Sequence, residues 1–333
     1  MSFNVLWLQS GGCGGCSMSL LCADTADFPA LLSSSGVNLL WHPSLSLENQ
    51  HDLLGLLQDV LSGRTRLDAL CIEGAVLRGP NHTGRFHLLA GTDVPMMRWI
   101  EQLAQVATHV LAVGSCAAWG GISASSSNPT DACGLQYEDE QVGGLLGRAF
   151  YARGGLPVIN LAGCPTHPGW VLDTLMLLAA GQFGAQDLDP LGRPRFYADQ
   201  LVHHGCPRNE YYEYKASAAQ PTELGCLMEN MGCKGTQAHA DCNTRLWNGD
   251  GSCLRGGFAC INCTAPGFQS PGHAFHLTHK LAGIPVGLPT DMPKAWFVAL
   301  ASLSKSATPK RVKVNSRSDH VVLAPVTRTS RPR

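Results

Sequence analysis

Charge is what this 333-residue sequence has least of. Lys, Arg, Asp and Glu together make up 15% of it, where an ordinary soluble chain carries about 25%. Charges normally cover solvated surface, so the shortage implies that part of this surface is covered, charge depletion being a mark of interface cores. The competing explanation is that loops rich in Gly, which occupies 37 positions, stand where charged helices would be. Neither sign is in excess. The formal net charge of −1 offers no basic field for nucleic acid. No apolar run reaches the roughly 18 residues of a membrane-spanning helix, so none is expected. The opening residues 1–8 show neither a secretory signature nor a twin-arginine pair, and a cytoplasmic, reducing setting is expected from that. There the 14 cysteines point to metal binding rather than to disulfides.

What is present is a folded chain, 44% hydrophobic, of a length that suits two domains. Over residues 1–181 short apolar runs alternate with helical patterns. Strands are expected at Phe3–Gln9, Val37–His42, Leu67–Glu73, His109–Ser115 and Pro157–Ala162, and helices near Ser17–Ser33, Leu47–Leu61, Pro95–Ala107, Gln141–Ala152 and Pro168–Ala180. Strands apolar on both faces, alternating with helices, describe an α/β, doubly wound parallel sheet, and five of them in this rhythm look flavodoxin-like. Residues 182–303 read differently. Gly, Pro, Asn and Cys replace the periodic patterns, residues 201–272 hold seven of the cysteines and little helical signal beyond Thr222–Met231, and Leu277–Leu303 then regains apolar content. Such a segment needs an internal staple such as metal. Residues 304–333 form a third region with a local charge of +7 (eight Lys/Arg over 305–333 less one Asp). It reads as a solvated tail or as a docking arm whose Val321-Val322-Leu323-Ala324 pairs with a partner's sheet edge.

The cysteines fall at telling places. Cys13 and Cys16 follow the first strand, Cys116 follows Val113-Gly114-Ser115, and Cys164 follows Ile159–Gly163. In an open parallel sheet the carboxyl ends of the strands converge on one crevice, so these four thiols are expected together. Four thiolates suit zinc or an iron–sulfur cluster. The glycine-rich loop around Cys13 and Cys16 is not a G-x-G-x-x-G and gives little support to nucleotide binding. Downstream, His203, Cys206, Cys226 and Cys233 make a mixed set, and Cys242, Cys253, Cys260 and Cys263 a cysteine-only set. Three four-ligand groups without an open catalytic metal site favour iron–sulfur clusters, and several clusters in one chain form a path for electrons. Zinc remains the alternative, in a stapled interaction module without redox activity.

The motifs C-G-G-C-S, G-S-C-A-x-x-G-G, G-C-P, H-x-x-C-P-R, C-K-G and C-x-x-C, in that order over about residues 3–290, resemble the small subunit of nickel–iron hydrogenases. The resemblance implies a flavodoxin-like domain followed by an irregular iron–sulfur cluster domain. It also implies a large-subunit partner carrying the nickel–iron centre, with no catalytic residue on this chain. It makes Cys13, Cys16, Cys116 and Cys164 ligands of a proximal 4Fe–4S cluster. His203, Cys206, Cys226 and Cys233 become ligands of a distal 4Fe–4S cluster, and Cys242, Cys260 and Cys263 of a medial one. Many members have proline where this chain has Cys253, and a 3Fe–4S medial cluster; Cys253 adds a fourth thiolate, so 4Fe–4S is expected, with 3Fe–4S if Cys253 does not ligate. Gly15 and Gly121 stand where some oxygen-tolerant members carry extra proximal cysteines. The Cys226-x6-Cys233 spacing is one residue longer than usual. The opening V-L-W-L-Q-S-G-G-C-G-G-C-S-M-S-L-L is most similar to the regulatory, hydrogen-sensing members, which are cytoplasmic and report to a histidine kinase. This implies a second copy of the heterodimer and a sensor kinase as partners. The alternative is the small subunit of a cytoplasmic energy-converting or uptake hydrogenase.

Other residues carry weaker signals. Cys71 reads as a buried hydrophobe in its strand, Cys22 as the core side of the first helix, and Cys133 has no assigned role. His273, His276 and His279 match no ligand set, and His204 competes with His203 for the distal one. Glu73 ends a strand at the crevice rim, as a proton relay or a polar group of the interface. Trp119 is expected beside the cluster or at the interface.

Overall fold

The computed structural model describes residues 2–23, 28–288 and 293–325. The chain divides into two compact units. The first is Met1–Asp199 with Trp247–Gly249 and Cys263–Ser270; the second is Gln200–Leu246, Asp250–Asn262 and Pro271–Arg333. The first unit thus runs to Asp199 rather than 181, and residues 304–325 belong to the second unit rather than standing apart.

In the first unit, β1 (Phe3–Gln9) leads into α1 (Gly15–Leu21) and α2 (Phe28–Ser34), then β2 (Val37–Trp41), α3 (Gln50–Leu61), β3 (Ala69–Glu73) and the short β4 (Val76–Leu77). There follow α4 (Met96–Val106), β5 (His109–Val113), α5 (Ser115–Trp119), the two-residue strands β6 (Ala132–Cys133), β7 (Tyr137–Glu138) and β8 (Gln141–Val142), then β9 (Ile159–Leu161), α6 (Pro168–Ala179) and α7 (Arg195–Ala198). The five main strands form one parallel sheet in the order β2-β1-β3-β5-β9, which counted among themselves is the 2-1-3-4-5 order of the flavodoxin-like fold.

Successive strand residues point to opposite faces, and each face has its own core. Leu6, Leu8, Ile72, Val110 and Ala112 pack with Leu57 of α3 and Ile100 and Leu103 of α4. Val5, Trp7, Cys71, Leu111 and Val113 pack with Leu20 of α1 and Val171 and Leu175 of α6. Helix α3 begins where the side chains of Asn49 and Asp52 form a capping box, an arrangement whose cap residue contributes about 1 kcal/mol, and it buries Leu53, Leu57 and Val60 along one face.

The helix expected at Gln141–Ala152 is absent. Gln141–Val142 pairs back on Tyr137–Glu138 as a hairpin, and the following turns contain Gly143, Gly144 and Gly147, each costing a helix about 1 kcal/mol against Ala.

The second unit has little regular structure: α8 (Asn209–Glu213), the hairpin β10 (Lys280–Leu281) with β11 (Ile284–Pro285), α9 (Lys294–Ala307) and α10 (Lys310–Asn315). Thr222–Met231 forms turns, not a helix. One small apolar cluster joins Tyr212, Cys226, Met228 and Phe297. The 321–324 segment is not a strand. The Asn315 carboxamide accepts from the amides of Val322 and Leu323, both at 2.9 Å, and donates to the Leu323 carbonyl at 2.8 Å, so the segment is folded back on α10. Among the described residues no helix is long and apolar enough to cross a membrane.

Candidate metal centres

The first site lies where β1 and β3, neighbours on the sheet, lead to opposite sides. Two residues past each strand, Gly11 and Ala75 form a separate antiparallel bridge, the Gly11 amide donating to the Ala75 carbonyl at 2.9 Å and the Ala75 amide to the Gly11 carbonyl at 2.8 Å. The chain then turns through Cys13 into α1, whose first turn carries Cys16. Glu73, the last residue of β3, is buried beneath that turn. One of its oxygens accepts from the Cys16 and Ser17 amides, both at 3.0 Å; the other accepts from the Ser17 hydroxyl at 2.5 Å and the Trp7 indole at 3.2 Å. Four donors leave this carboxylate holding the helix start, where its negative charge also suits the helix dipole.

Cys116 sits in α5 and Cys164 in the loop between β9 and α6. Cys16, Cys116 and Cys164 are partly buried and Cys13 is exposed. The Cys16 thiol is pushed far up by burial, with Glu73, Cys116 and Cys164 adding to the shift, and burial also pushes up Cys116, with Cys13 as a neighbouring charge. Against this, the Thr166 amide points at the Cys16 sulfur, and the Ile122 and Ser123 amides and the Ser123 hydroxyl at that of Cys116. These sulfurs are thus given donors suited to thiolates in a place where thiolates need a compensating cation.

Room for the sulfurs is set by glycine. Gly114 has φ 84° and ψ 160°, and a Cβ on it would stand 2.4 Å from Cys16 Sγ. A Cβ on Gly121 would stand 3.0 Å from Cys116 Sγ. Ser115 is a functional residue the sequence reading missed. Its hydroxyl accepts from the Gly163 amide at 2.9 Å and donates to the Cys263 carbonyl. It therefore ties together the turns that carry Cys116, Cys164 and Cys263; the only sequence signal is its place between a strand and a cysteine.

In the second unit His203 lies in the single helical turn Val202–Gly205, just before Cys206. The His203 ring meets that of Tyr212 edge-on at 4.2 Å. Cys206, Cys226 and Cys233 are mutual electrostatic neighbours. Burial pushes the Cys206 thiol up to about 11 and that of Cys226 up to about 12. Amides of Arg208, Met228 and Gly235 point at the sulfurs of Cys206, Cys226 and Cys233 respectively, the first at 3.4 Å. The Arg208 guanidinium is buried beside the three thiols and donates to the carbonyls of Glu223 at 2.6 Å and Gly225 at 2.8 Å.

Cys260 pairs with the same strip of chain: its carbonyl accepts from the Lys234 amide at 2.8 Å, and its sulfur accepts from the Asn262 amide at 3.5 Å. Cys253 is exposed by residue area, partial desolvation still raises its thiol, and it lies within electrostatic reach of Cys233. Cys242 also belongs to this unit, whereas Cys263 belongs to the first. Among the described residues no three His, Cys, Asp or Glu side chains converge tightly enough to hold a single metal ion; the thiols form looser groups.

Four of the weaker signals resolve. Cys71 is fully buried in β3 and Cys133 is buried in β6. Cys22, expected on the core side of its helix, is exposed at the end of α1. Trp119 is fully buried in the first core, edge-on to Tyr137 at 4.7 Å, and not on the surface of this chain.

A flavodoxin-like sheet whose switch point carries four free cysteines, joined to an irregular cysteine-rich unit, is the class these features define. Residues 13–178 match a family model described as NADH ubiquinone oxidoreductase, 20 Kd subunit, and residues 198–276 match one for the C-terminal region of the NiFe/NiFeSe hydrogenase small subunit. The F420 non-reducing hydrogenase II small subunit of Methanosarcina mazei is 33% identical over 324 residues, covering 90% of this chain and 82% of that protein. The periplasmic NiFeSe hydrogenase small subunit of Desulfomicrobium baculatum is 30% identical over 289 residues, covering 82% of this chain and 86% of that protein. Among solved structures, the actinobacterial-type NiFe-hydrogenase from Ralstonia eutropha H16 superposes with a TM-score of 0.75 at 28% identity, over 93% of this chain and 92% of that one. The chain belongs to the family of nickel–iron hydrogenase small subunits.

Proposed function

We propose that this chain is the electron-conducting subunit of a hydrogen-oxidising complex whose nickel–iron centre sits on a separate large subunit. The observation that carries the reading is the gathering of Cys13, Cys16, Cys116 and Cys164 at the switch point of the sheet, with amides aimed at Cys16 and Cys116. The proposal takes these four as proximal ligands. It takes His203, Cys206, Cys226 and Cys233 as distal ligands, and Cys242, Cys253, Cys260 and Cys263 as medial ligands, in each case of a 4Fe–4S cluster. Bound iron–sulfur clusters supply sites that take up and release one electron at a time. The chain's own residues hold those sites. Glu73 fixes the start of α1, Gly114 clears space for Cys16, Ser115 ties the cysteine turns, and Arg208 places a buried cation among three thiols.

The finer reading is a cytoplasmic hydrogen sensor that works as a pair of heterodimers and signals to a histidine kinase. The opening motif supports it, as does the +7 charge of residues 305–333. A second reading, the small subunit of a cytoplasmic energy-converting or uptake hydrogenase, draws on relatives such as the F420 non-reducing and periplasmic hydrogenase small subunits.

Anaerobic co-expression with the large subunit tests the proposal. H2-dependent reduction of benzyl viologen is expected, lost in Cys116→Ala while nickel stays in the complex. A nickel-loaded complex that cannot pass electrons from H2 to the dye contradicts it. Slow turnover with a kinase retained on the complex supports the sensor, and fast turnover without one supports the second reading.

A further inference from the structure

We infer that Lys215 is a positioning residue for the electron exit, a cation clamped between two aromatic rings on the Cys226 side of the distal ligand set, where it favours arrival of the electron. The inference rests on the distal assignment proposed above.

The geometry is specific. Lys215 follows α8 with φ 52°, a left-handed backbone that non-glycine residues seldom adopt. Its ammonium lies 3.7 Å from the centre of the Tyr212 ring and 4.6 Å from that of Phe297. Among the described residues no carboxylate lies within ion-pair distance of it; of the two acids near enough to act on it, Glu213 and Glu229, the latter is taken by Ser217 and Lys305. The rings therefore supply its main close partners, an attraction that strengthens as water is removed. Tyr212 also meets His203 edge-on at 4.2 Å, and Cys226 belongs to the same apolar cluster as Tyr212 and Phe297. Lys215 and Cys226 line one cavity of about 200 Å³. Two proposed distal ligands thus touch the clamp.

An electron reaching the distal set adds one negative charge and forms or breaks no bond. A fixed, half-buried cation stabilises that charge. Burial draws the Lys215 pKa down, while Glu213, Cys226 and Glu229 draw it up. Phe297 is the one buried residue described on α9, so the clamp also couples that helix to the site.

The test is a potentiometric titration of the cluster EPR signals in the assembled, fully loaded heterodimer. Lys215→Met is expected to lower the distal reduction equilibrium constant about tenfold, roughly 59 mV for one electron. The proximal signal should stay where it was. Lys215→Arg should keep the distal potential, because it keeps the charge. Phe297→Leu should shift it in the same direction as Lys215→Met and add nothing further in the double variant. An unchanged distal potential in Lys215→Met overturns the inference, as does an Arg variant that shifts as far as the Met variant, which would mean packing rather than charge. Absence of any cluster signal from the unaltered complex overturns the functional proposal, and this inference with it.

Discussion

Gly114→Ala is the substitution to which the first site should be most sensitive. The backbone there, φ 84° and ψ 160°, lies in a region that only glycine populates freely, at a cost of about 1–3 kcal/mol for any other residue. The new methyl carbon would also stand 2.4 Å from Cys16 Sγ, where non-bonded heavy atoms prefer about 3.5–4 Å. Relieving the overlap costs about 1–3 kcal/mol more. The sum, about 2–6 kcal/mol, is a large part of the 5–15 kcal/mol that keeps a typical protein folded. The other escape is for the sulfur to move, which removes Cys16 from its place between Glu73 and Thr166. Gly63→Ala is the control, because Gly63 has φ 77° and nothing within 4 Å of a Cβ. It should cost only the left-handed strain, about 1–2 kcal/mol. The assay is iron per assembled complex together with the thermal midpoint. Gly114→Ala is expected to lose about one cluster's iron or to fall well below the control in stability. Full iron with a midpoint equal to that of Gly63→Ala would refute the steric reasoning.

Further outcomes are expected elsewhere. Cys253→Pro should produce a 3Fe–4S signal in oxidised samples; an unchanged spectrum shows that Cys253 is not a ligand. Ser115→Ala leaves the buried Gly163 amide without its partner, costing about 1–3 kcal/mol, and should speed loss of iron in a chelator challenge; an unchanged rate argues against Ser115 as a tie. Burial lowers the His42 pKa to about 4, opposed by Glu73, so between pH 6.5 and 4 the unfolded chain binds the proton that the fold refuses. Stability should therefore fall as the pH drops through that window, by up to about 3 kcal/mol. A denaturation midpoint whose pH dependence is the same in His42→Phe would count against it.

Much of the fold could be read from the residues because the sheet strands are apolar on both faces, as Val5, Leu6, Trp7 and Leu8 show by filling two separate cores. The meeting of Cys13, Cys16, Cys116 and Cys164 followed from sheet topology, since strand ends converge whatever the intervening sequence. What failed depended on tertiary contacts that leave no periodic trace. Gln141–Val142 pairs with Tyr137–Glu138 although the segment has helical spacing, and Val321–Ala324 is claimed by the single side chain of Asn315. Cys22 lies off the core face because α1 stops at Leu21, so the face of the helix does not extend one residue further. From the sequence Glu73 reads as a rim carboxylate, but its four donors come from residues far away in the chain, and no local pattern encodes them.

Metal analysis of the anaerobically purified heterodimer bears most directly on the central claim. A brown complex, bleached by dithionite, is expected, with about twelve irons on this chain and nickel on its partner. A colourless chain holding two or three zinc ions, and never found with nickel, would contradict it.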